Sequence, residues 1–268
     1  MKIVFWGASR GCGATSSMTA VASFLALEFN HRSICMQPKA GKGDLEMFFC
    51  SWEKRSVLRE ESTYYALEGM DYLIWQEQHH RLDAEAMKES MVPLLDQRLF
   101  YLPHGSREKP GLYPVQTGEL QRRIMTRMEE FAEFVFIDVG SVRDEFADSM
   151  LQRADVVVVN FSGRQRELEH FFCSQFPCRG RVLYLLSNYS SDQVYNCENL
   201  QRIYRMDGQS ICQIPTNPHF AQACERGRVE QYMKACCRGR GNHSRNEQFL
   251  AGLRQVADLI LRCMMDGK

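Results

Sequence analysis

The chain of 268 residues has no lysine between Lys2 and Lys39, an interval that contains the glycine-rich stretch WGASRGCGATSS at residues 6–17. It has no apolar run approaching 18 residues, which argues against a membrane-spanning helix. The apolar run before Gly7 is too short for a signal peptide, so we expect none. Neither sign of charge is in excess, with 33 Lys plus Arg against 33 Asp plus Glu. No overall field therefore recruits nucleic acid or anionic lipid, and we expect no nucleic-acid partner.

The eleven cysteines form no C-x-x-C pair, and the adjacent Cys236 and Cys237 are poorly placed to bind one metal together. We therefore expect a reduced, cytoplasmic protein with mostly buried thiols. Cys12 precedes a predicted helix, whose dipole favours a thiolate. A redox role for Cys12 is one interpretation, and a small residue that fills the loop is the other.

Most of the predicted strands are continuous apolar runs without alternation, which is typical of a parallel sheet covered on both faces. We predict strands at 2–6, 33–36, 98–105, 133–140, 154–162, 181–190 and 210–218, and an extended segment, DYLIWQ, at 71–76. We predict helices at 15–29, 56–70, 81–95, 118–132, 219–235 and 246–264, and a loop at 106–117. The pattern predicts a doubly wound α/β fold with a mostly parallel sheet and helices on both faces, as a single domain over residues 1–268.

The glycine loop fits two unrelated families. GASRGCG matches the G-x-x-x-G-x-G turn of short-chain dehydrogenases. That family also requires a tyrosine four residues before a lysine, and no tyrosine in this chain has a lysine at that spacing. The dehydrogenase therefore stays a remote alternative.

The second interpretation is a P-loop that binds a nucleotide. Thr15 and Ser16 follow the loop directly, where a P-loop places the hydroxyl that holds Mg²⁺. Asp138 ends the predicted strand FVFIDVG, where a carboxylate would hold Mg²⁺ through water. Asn188 ends the strand LYLLSNYS, where an amide could contact an adenine edge. Each signal alone is weak, but their order along the chain favours a P-loop.

In this order, the chain resembles the MinD/ParA superfamily of P-loop ATPases, and within it the TadZ/CpaE proteins of Flp/Tad pilus assembly. The segments RLFYLPHG, FVFIDVG, LLSNYSS and IPTNPHFAQACERGRVEQY are similar to that family over about residues 1–262. The resemblance implies a degenerate Walker A loop at 7–16, with no receiver-like domain in the chain. It implies ATP and Mg²⁺ as ligands, with Thr15 and Asp138 at the metal. The other implied nucleotide contacts are Gly11, Cys12, Gly13, Ala14, Ser16 and Asn188.

Three departures from the family pattern weaken the implied chemistry. Ala14 and Ser9 occupy the places of the two loop lysines, and Arg10 could replace the charge of the second lysine but not its geometry. The family's activating aspartate has no counterpart in the turn 36–39. Asp44 lies several residues further on, and either orients a water or is an ordinary loop aspartate.

We therefore expect a nucleotide-binding protein with weak or absent ATP hydrolysis, which acts as a positioning switch or scaffold in pilus assembly or secretion. The resemblance implies a homodimer that contacts proteins of the pilus or secretion machinery. The amphipathic last helix predicts packing on the sheet, with peripheral contact at the inner face of the cell membrane as the alternative. The main alternative function is an interaction module that binds no nucleotide.

Overall fold

The computed structural model describes residues 1–38, 44–50, 69–104, 118–174, 176–190, 192–239 and 244–266. Its strands are Lys2–Gly7 (β1), Ser33–Met36 (β2), Val92–Leu94 (β3), Leu99–Leu102 (β4), Phe134–Asp138 (β5), Val156–Phe161 (β6), Arg181–Tyr189 (β7) and Ile211–Pro215 (β8).

These strands form one sheet of eight in the order β3-β4-β2-β5-β1-β6-β7-β8. Every neighbouring pair is parallel except β3 with β4, at one edge. The central strands β1, β5 and β6 are almost entirely buried, because helices cover both faces of the sheet. The predicted mostly parallel α/β sheet is confirmed.

The helices divide between the two faces of the sheet. Along the chain they are Ala14–Glu28 (α1), Asp44–Phe49 (α2), Gly69–Gln78 (α3), Ala84–Glu89 (α4), Gly118–Phe131 (α5), Glu145–Arg153 (α6), Gln165–Phe172 (α7), Cys197–Tyr204 (α8), Pro218–Glu225 (α9), Val229–Cys237 (α10) and Ser244–Asp266 (α11). Helices α1, α2 and α9 to α11 share one core with Phe5. Helices α3 to α8 share the opposite core with Val4 and Trp6.

The position of β1 decides between the two glycine-loop families. In a dinucleotide-binding sheet the first and second strands are neighbours, in the order 3-2-1-4-5-6. Here β1 pairs with β5 on one side and with β6 on the other, and β5 separates it from β2. This topology overturns the short-chain dehydrogenase alternative.

Two sequence predictions near the edge strand β3 are wrong. The segment 71–76 lies inside α3 and not in an extended segment. The prediction failed because a six-residue, largely apolar run does not distinguish a strand from a helix. Helix α3 begins at Gly69, where an added Cβ would lie 2.2 Å from the carbonyl oxygen of Pro103. The predicted helix 81–95 is short, because the chain turns after Glu89 into β3, where Pro93 suits an edge strand.

The predicted helix 219–235 is interrupted. The chain leaves α9 and re-enters a helix as α10, with Gly227 between them at a φ of 64°. A positive φ breaks a right-handed helix, and glycine adopts it readily. The loop predicted at 106–117 and most of the helix predicted at 56–70 lie outside the described residues.

The last helix packs on the sheet as predicted. Phe249, Leu253, Val256 and Ile260 of α11 are buried in the core shared with α1. Gly252 lies against β8, since an added Cβ would be 2.8 Å from the carbonyl oxygen of Gln213. Among the described residues, no helix combines the length and the apolar character needed to cross a bilayer.

Buried thiols should make the fold sensitive to alkali. Burial raises the pKa of Cys224 from 9.0 to about 12. The folded state therefore keeps a proton that the unfolded chain releases above pH 9, so stability present at pH 8 is lost as the pH rises toward 12. Between pH 8 and 10.5 we expect Cys224 alone to lower the free energy of unfolding by on the order of 2 kcal/mol.

Guanidinium denaturation at several pH values measures this loss. Cys224→Ala should reduce the decline in the free energy of unfolding above pH 9. Cys173→Ala, at an exposed thiol, should leave that decline unchanged. Equal slopes for the wild type and Cys224→Ala would contradict the prediction.

Candidate functional site

The glycine loop joins β1 to α1 and leaves the start of that helix uncapped. Gly11 and Gly13 adopt φ values of 78° and 89°, in the left-handed region. Gly13 is the N-cap of α1, with no capping side chain among the described residues and no acid in the first turn. Such a helix start carries a partial positive charge and free amides that favour an anion. The hydroxyl of Ser16 donates to the Gly13 carbonyl at 3.0 Å.

Cys12 fills the inside of this loop. Its side chain is buried, and a Cβ added at Gly7 would lie 2.7 Å from its Sγ. Burial raises the pKa of the Cys12 thiol, against hydrogen bonds with the backbone of Ser9 and Ala14 that lower it. The thiolate that the helix dipole would favour is therefore disfavoured, and the packing interpretation of Cys12 is supported over the redox one. The Cys12 amide, predicted to face phosphate, donates to the Ser9 carbonyl at 3.4 Å.

Asp138 and Thr15 meet at the carboxyl edge of the sheet. Asp138 ends β5 and is fully buried, and Thr15 lies in the first turn of α1. The Thr15 hydroxyl donates to Asp138 Oδ2 at 2.5 Å, and the Gly140 amide donates to Oδ1 at 2.9 Å. The strands β1 and β5 are neighbours, so these two residues, 123 positions apart in sequence, come together.

Gln37 is a contact that the sequence pattern did not identify. It directly follows β2, the other neighbour of β5, and its Nε2 donates to Asp138 Oδ2 at 3.0 Å. In the sequence, the turn 36–39 is notable only because it lacks the aspartate of the family pattern. The available signal was its position, since a polar residue just after a parallel strand faces the same sheet edge as Asp138.

Glu167 anchors the first half of the loop, and it too was missed. This carboxylate is buried, with 8% of its surface exposed, in the first turn of α7. One oxygen accepts a short hydrogen bond from the Ser9 hydroxyl, and the other accepts from the Ser162 amide at 2.7 Å and its hydroxyl at 2.8 Å. Ser9 stands where the family pattern has its second lysine, so an acid holds this position inward. Arg10, beside it, is exposed.

Asn188 lies beside the other half of the loop. A Cβ added at Gly13 would be 2.9 Å from its Nδ2, which places the predicted adenine contact against the start of α1. Behind it, the Ser17 hydroxyl donates to the Ser187 hydroxyl, which donates to Asn160 Oδ1, each at 2.9 Å. This buried polar chain ties α1 to the ends of β6 and β7.

The contacts described above do not test the predicted role of Asp44. It begins α2, but its side chain lies outside the described part of the chain. Its suggested role at a water therefore remains a prediction.

The geometry defines a class of protein. A glycine loop between the first strand and helix, followed by a hydroxyl that bonds an aspartate at the end of the neighbouring strand, is the arrangement of P-loop nucleotide-binding proteins. The lysine that normally completes this arrangement is Ala14 here.

Comparison with solved structures gives the particular variety of this fold. A ParA family ATPase from Chlorobium tepidum TLS is similar with a TM-score of 0.68 and 12% identity, over 94% of this chain and 98% of that chain. The structure of pNOB8 ParA bound to nonspecific DNA is similar with a TM-score of 0.65 and 10% identity, over 100% of this chain and 99% of that chain. The septum site-determining protein MinD from Pyrococcus horikoshii OT3, complexed with Mg-ADP, is similar with a TM-score of 0.63 and 13% identity. The match covers 97% of this chain and 96% of that chain.

The chain thus has the fold of the ParA and MinD ATPases along almost its whole length. No protein-family model matches it, and no curated protein does. Since the identities lie between 10% and 13%, the similarity shows the fold, and the function must be argued from the site.

The two left-handed glycines of the loop should differ in their tolerance of a side chain. A Cβ at Gly11 meets nothing within 4 Å, whereas one at Gly13 meets Asn188 and the Cβ of Ser187, at 2.9 and 3.1 Å. We expect Gly11→Ala to lower the free energy of unfolding by about 1 kcal/mol through backbone strain alone, and Gly13→Ala by about 2–3 kcal/mol. Guanidinium denaturation measures both, and equal losses would contradict the packing of Asn188 on Gly13.

Proposed function

We propose that this chain binds ATP with Mg²⁺ at the glycine loop and hydrolyses it slowly or not at all. The observation that carries the proposal is the bond between Thr15 and Asp138 beside the uncapped start of α1. The helix start supplies amides for a polyphosphate, and Thr15 and Asp138 supply oxygens for a hard cation in the same place. The Mg-ADP in the similar MinD from Pyrococcus horikoshii supports the same ligands here.

The phosphates would lie at the loop formed by Gly11, Cys12, Gly13 and Ala14, with the Thr15 and Ser16 hydroxyls at its end. Asn188, packed on Gly13, would contact the adenine edge. Its side chain is exposed and available to a ligand. The nucleotide would thus bridge the start of α1 and the end of β7.

The donors at Asp138 fit Mg²⁺, which prefers oxygen ligands and keeps several of its waters. Thr15 would provide a hydroxyl, and Asp138 would act through water. In the described part of the chain, no three His, Cys, Asp or Glu side chains cluster to hold a metal, so these two residues and the phosphates would form the site. Bound Mg²⁺ would neutralise charge on the phosphate oxygens.

Slow hydrolysis follows from the missing positive charge. Phosphoryl transfer depends on donors aimed at the charge that develops on phosphate oxygens. Ala14 supplies none, and Ser9 is held by the acidic Glu167. The remaining loop amides can orient the phosphates, but they stabilise the transition state less than an ammonium group would.

The biological role that we propose is a positioning switch or scaffold in pilus assembly or secretion, acting as a homodimer in the cytoplasm or at the inner face of the membrane. The motif resemblance to TadZ/CpaE proteins supports it. Nucleotide occupancy would change which protein surface the partner machinery meets. Because pNOB8 ParA is bound to nonspecific DNA in its structure, DNA is a partner to test, although the net charge of zero argues against it.

A thermal-shift experiment tests nucleotide binding. With Mg-ATP at about 100 times its dissociation constant, we expect roughly 2.7 kcal/mol of added stability and a higher melting temperature. Gly13→Ala, which distorts the loop, should lose most of the shift. NAD(P) should give none.

The absence of any shift with Mg-ATP would instead support the interaction module without nucleotide. A shift with duplex DNA alone would move the proposal toward a DNA-binding role.

Restoring the lysine tests the explanation for slow hydrolysis. Ala14→Lys should tighten ATP binding by roughly ten- to a hundredfold, because a charged donor returns to the phosphates. It should also raise the rate of phosphate release, which we expect to be near background in the wild type. Ala14→Met, of similar length and without charge, is the matched control. Fast Mg²⁺-dependent hydrolysis by the wild type, lost in Asp138→Ala, would contradict the proposal.

A further inference from the structure

Two donors share one oxygen of the buried carboxylate at the proposed metal position. Asp138 Oδ2 accepts from the Thr15 hydroxyl at 2.5 Å and from Gln37 Nε2 at 3.0 Å. An ionised carboxylate oxygen has about two lone-pair positions. Both positions on Oδ2 are therefore used by the protein's own side chains.

The two donors differ in how they relate to a cation. The Thr15 hydroxyl can donate its proton to Asp138 and still offer an oxygen lone pair to a metal. The amide nitrogen of Gln37 has only protons to offer, so it cannot be a ligand while it bonds Asp138. It occupies a position on Oδ2 that a metal-bound water would need in order to donate to that oxygen. The amide must leave Oδ2 before such a water can take its place.

We propose that Gln37 sets the metal affinity of this site: its side-chain amide competes with metal-bound water for Asp138 and keeps Mg²⁺ affinity low. The inference rests on the proposed nucleotide site and concerns its regulation. The fold supports the competition because Gln37 is held at the end of β2, next to β5, with Pro38 after it limiting the backbone. The amide is thus presented to Asp138 by the sheet.

Gln37 is a positioning residue in this scheme, since it acts on the metal through Asp138. A hydrogen bond to a charged group is typically worth about tenfold or more in an equilibrium. Removing the amide should therefore tighten divalent-cation binding by about tenfold. A residue with a merely structural role would change stability and leave the metal affinity unchanged.

The test titrates Mg²⁺, starting from EDTA, while the dissociation constant of ATP is measured. Gln37→Met keeps the side-chain length and loses the donor. The Mg²⁺ midpoint is the Mg²⁺ concentration at which half of the change in ATP affinity has occurred, and in this variant it should be about tenfold lower than in the wild type. Gln165→Met is the matched control, because Gln165 makes the same kind of amide-to-carboxylate bond with Glu169 on an exposed turn of α7. Its Mg²⁺ midpoint should equal that of the wild type.

A second variant guards against a folding defect in Gln37→Met. Gln37→Glu replaces the amide donor by a carboxylate, which offers oxygen to a cation beside Asp138. It should lower the Mg²⁺ midpoint at least as far. A midpoint within twofold of the wild type in folded Gln37→Met, or a shift to higher Mg²⁺ in either variant, overturns the inference while leaving nucleotide binding in place.

Metal binding by the protein alone separates this inference from the proposed function. Mn²⁺, a paramagnetic substitute for Mg²⁺, is titrated into each nucleotide-free protein, and the free ion is read from its electron paramagnetic resonance signal. Tighter Mn²⁺ binding by Gln37→Met than by the wild type supports the competition even if ATP fails to bind. Equal or weaker Mn²⁺ binding by that variant rejects it.

Discussion

The hydrogen bond between Thr15 and Asp138 is the contact on which the site depends. It joins the first turn of α1 to the end of β5, and it exists because β5 lies beside β1 in the sheet. Asp138 is fully buried, so its charge requires donors, and the hydroxyl, the Gly140 amide and the Gln37 amide provide them. A buried acid that is satisfied in this way fixes the loop, the helix start and the turn after β2 relative to one another.

The contacts on either side of the loop explain how it keeps its shape without lysine. Glu167 holds Ser9, while Asn188 packs on Gly13. Glu167 belongs to the first turn of α7 and Asn188 to β7, so the loop is held by elements that follow the neighbouring strands of the sheet. This is unusual for a site that is proposed to bind phosphate, because the described side chains in contact with the loop supply negative and neutral groups. Attraction for an anion is left to the backbone amides and the dipole of α1.

Sequence patterns located much of the fold and named some of the residues that meet at the candidate site. The apolar runs of β1, β5, β6 and β7 are long enough to be unambiguous, and the order of Thr15, Asp138 and Asn188 along the chain indicated residues that the sheet brings to one edge. Short segments failed, as in α3, since six residues do not reveal a period. Glu167 was missed because a hydrogen bond to a residue 158 positions away leaves no local signal. Gln37 was missed because its position just after β2 indicates the sheet edge that it faces but does not identify Asp138 as its partner.

The sequence by itself determined the class of fold, the glycine loop and the absence of its lysines, because these depend on residue type and local spacing. Only the tertiary structure decided the neighbour of β1, which removed the dehydrogenase alternative, and the partners of Asp138 and Ser9. The physical reason is that strand order and side-chain pairing follow from packing two helix layers on one sheet. That packing brings together residues whose separation along the chain carries no information about their distance in space.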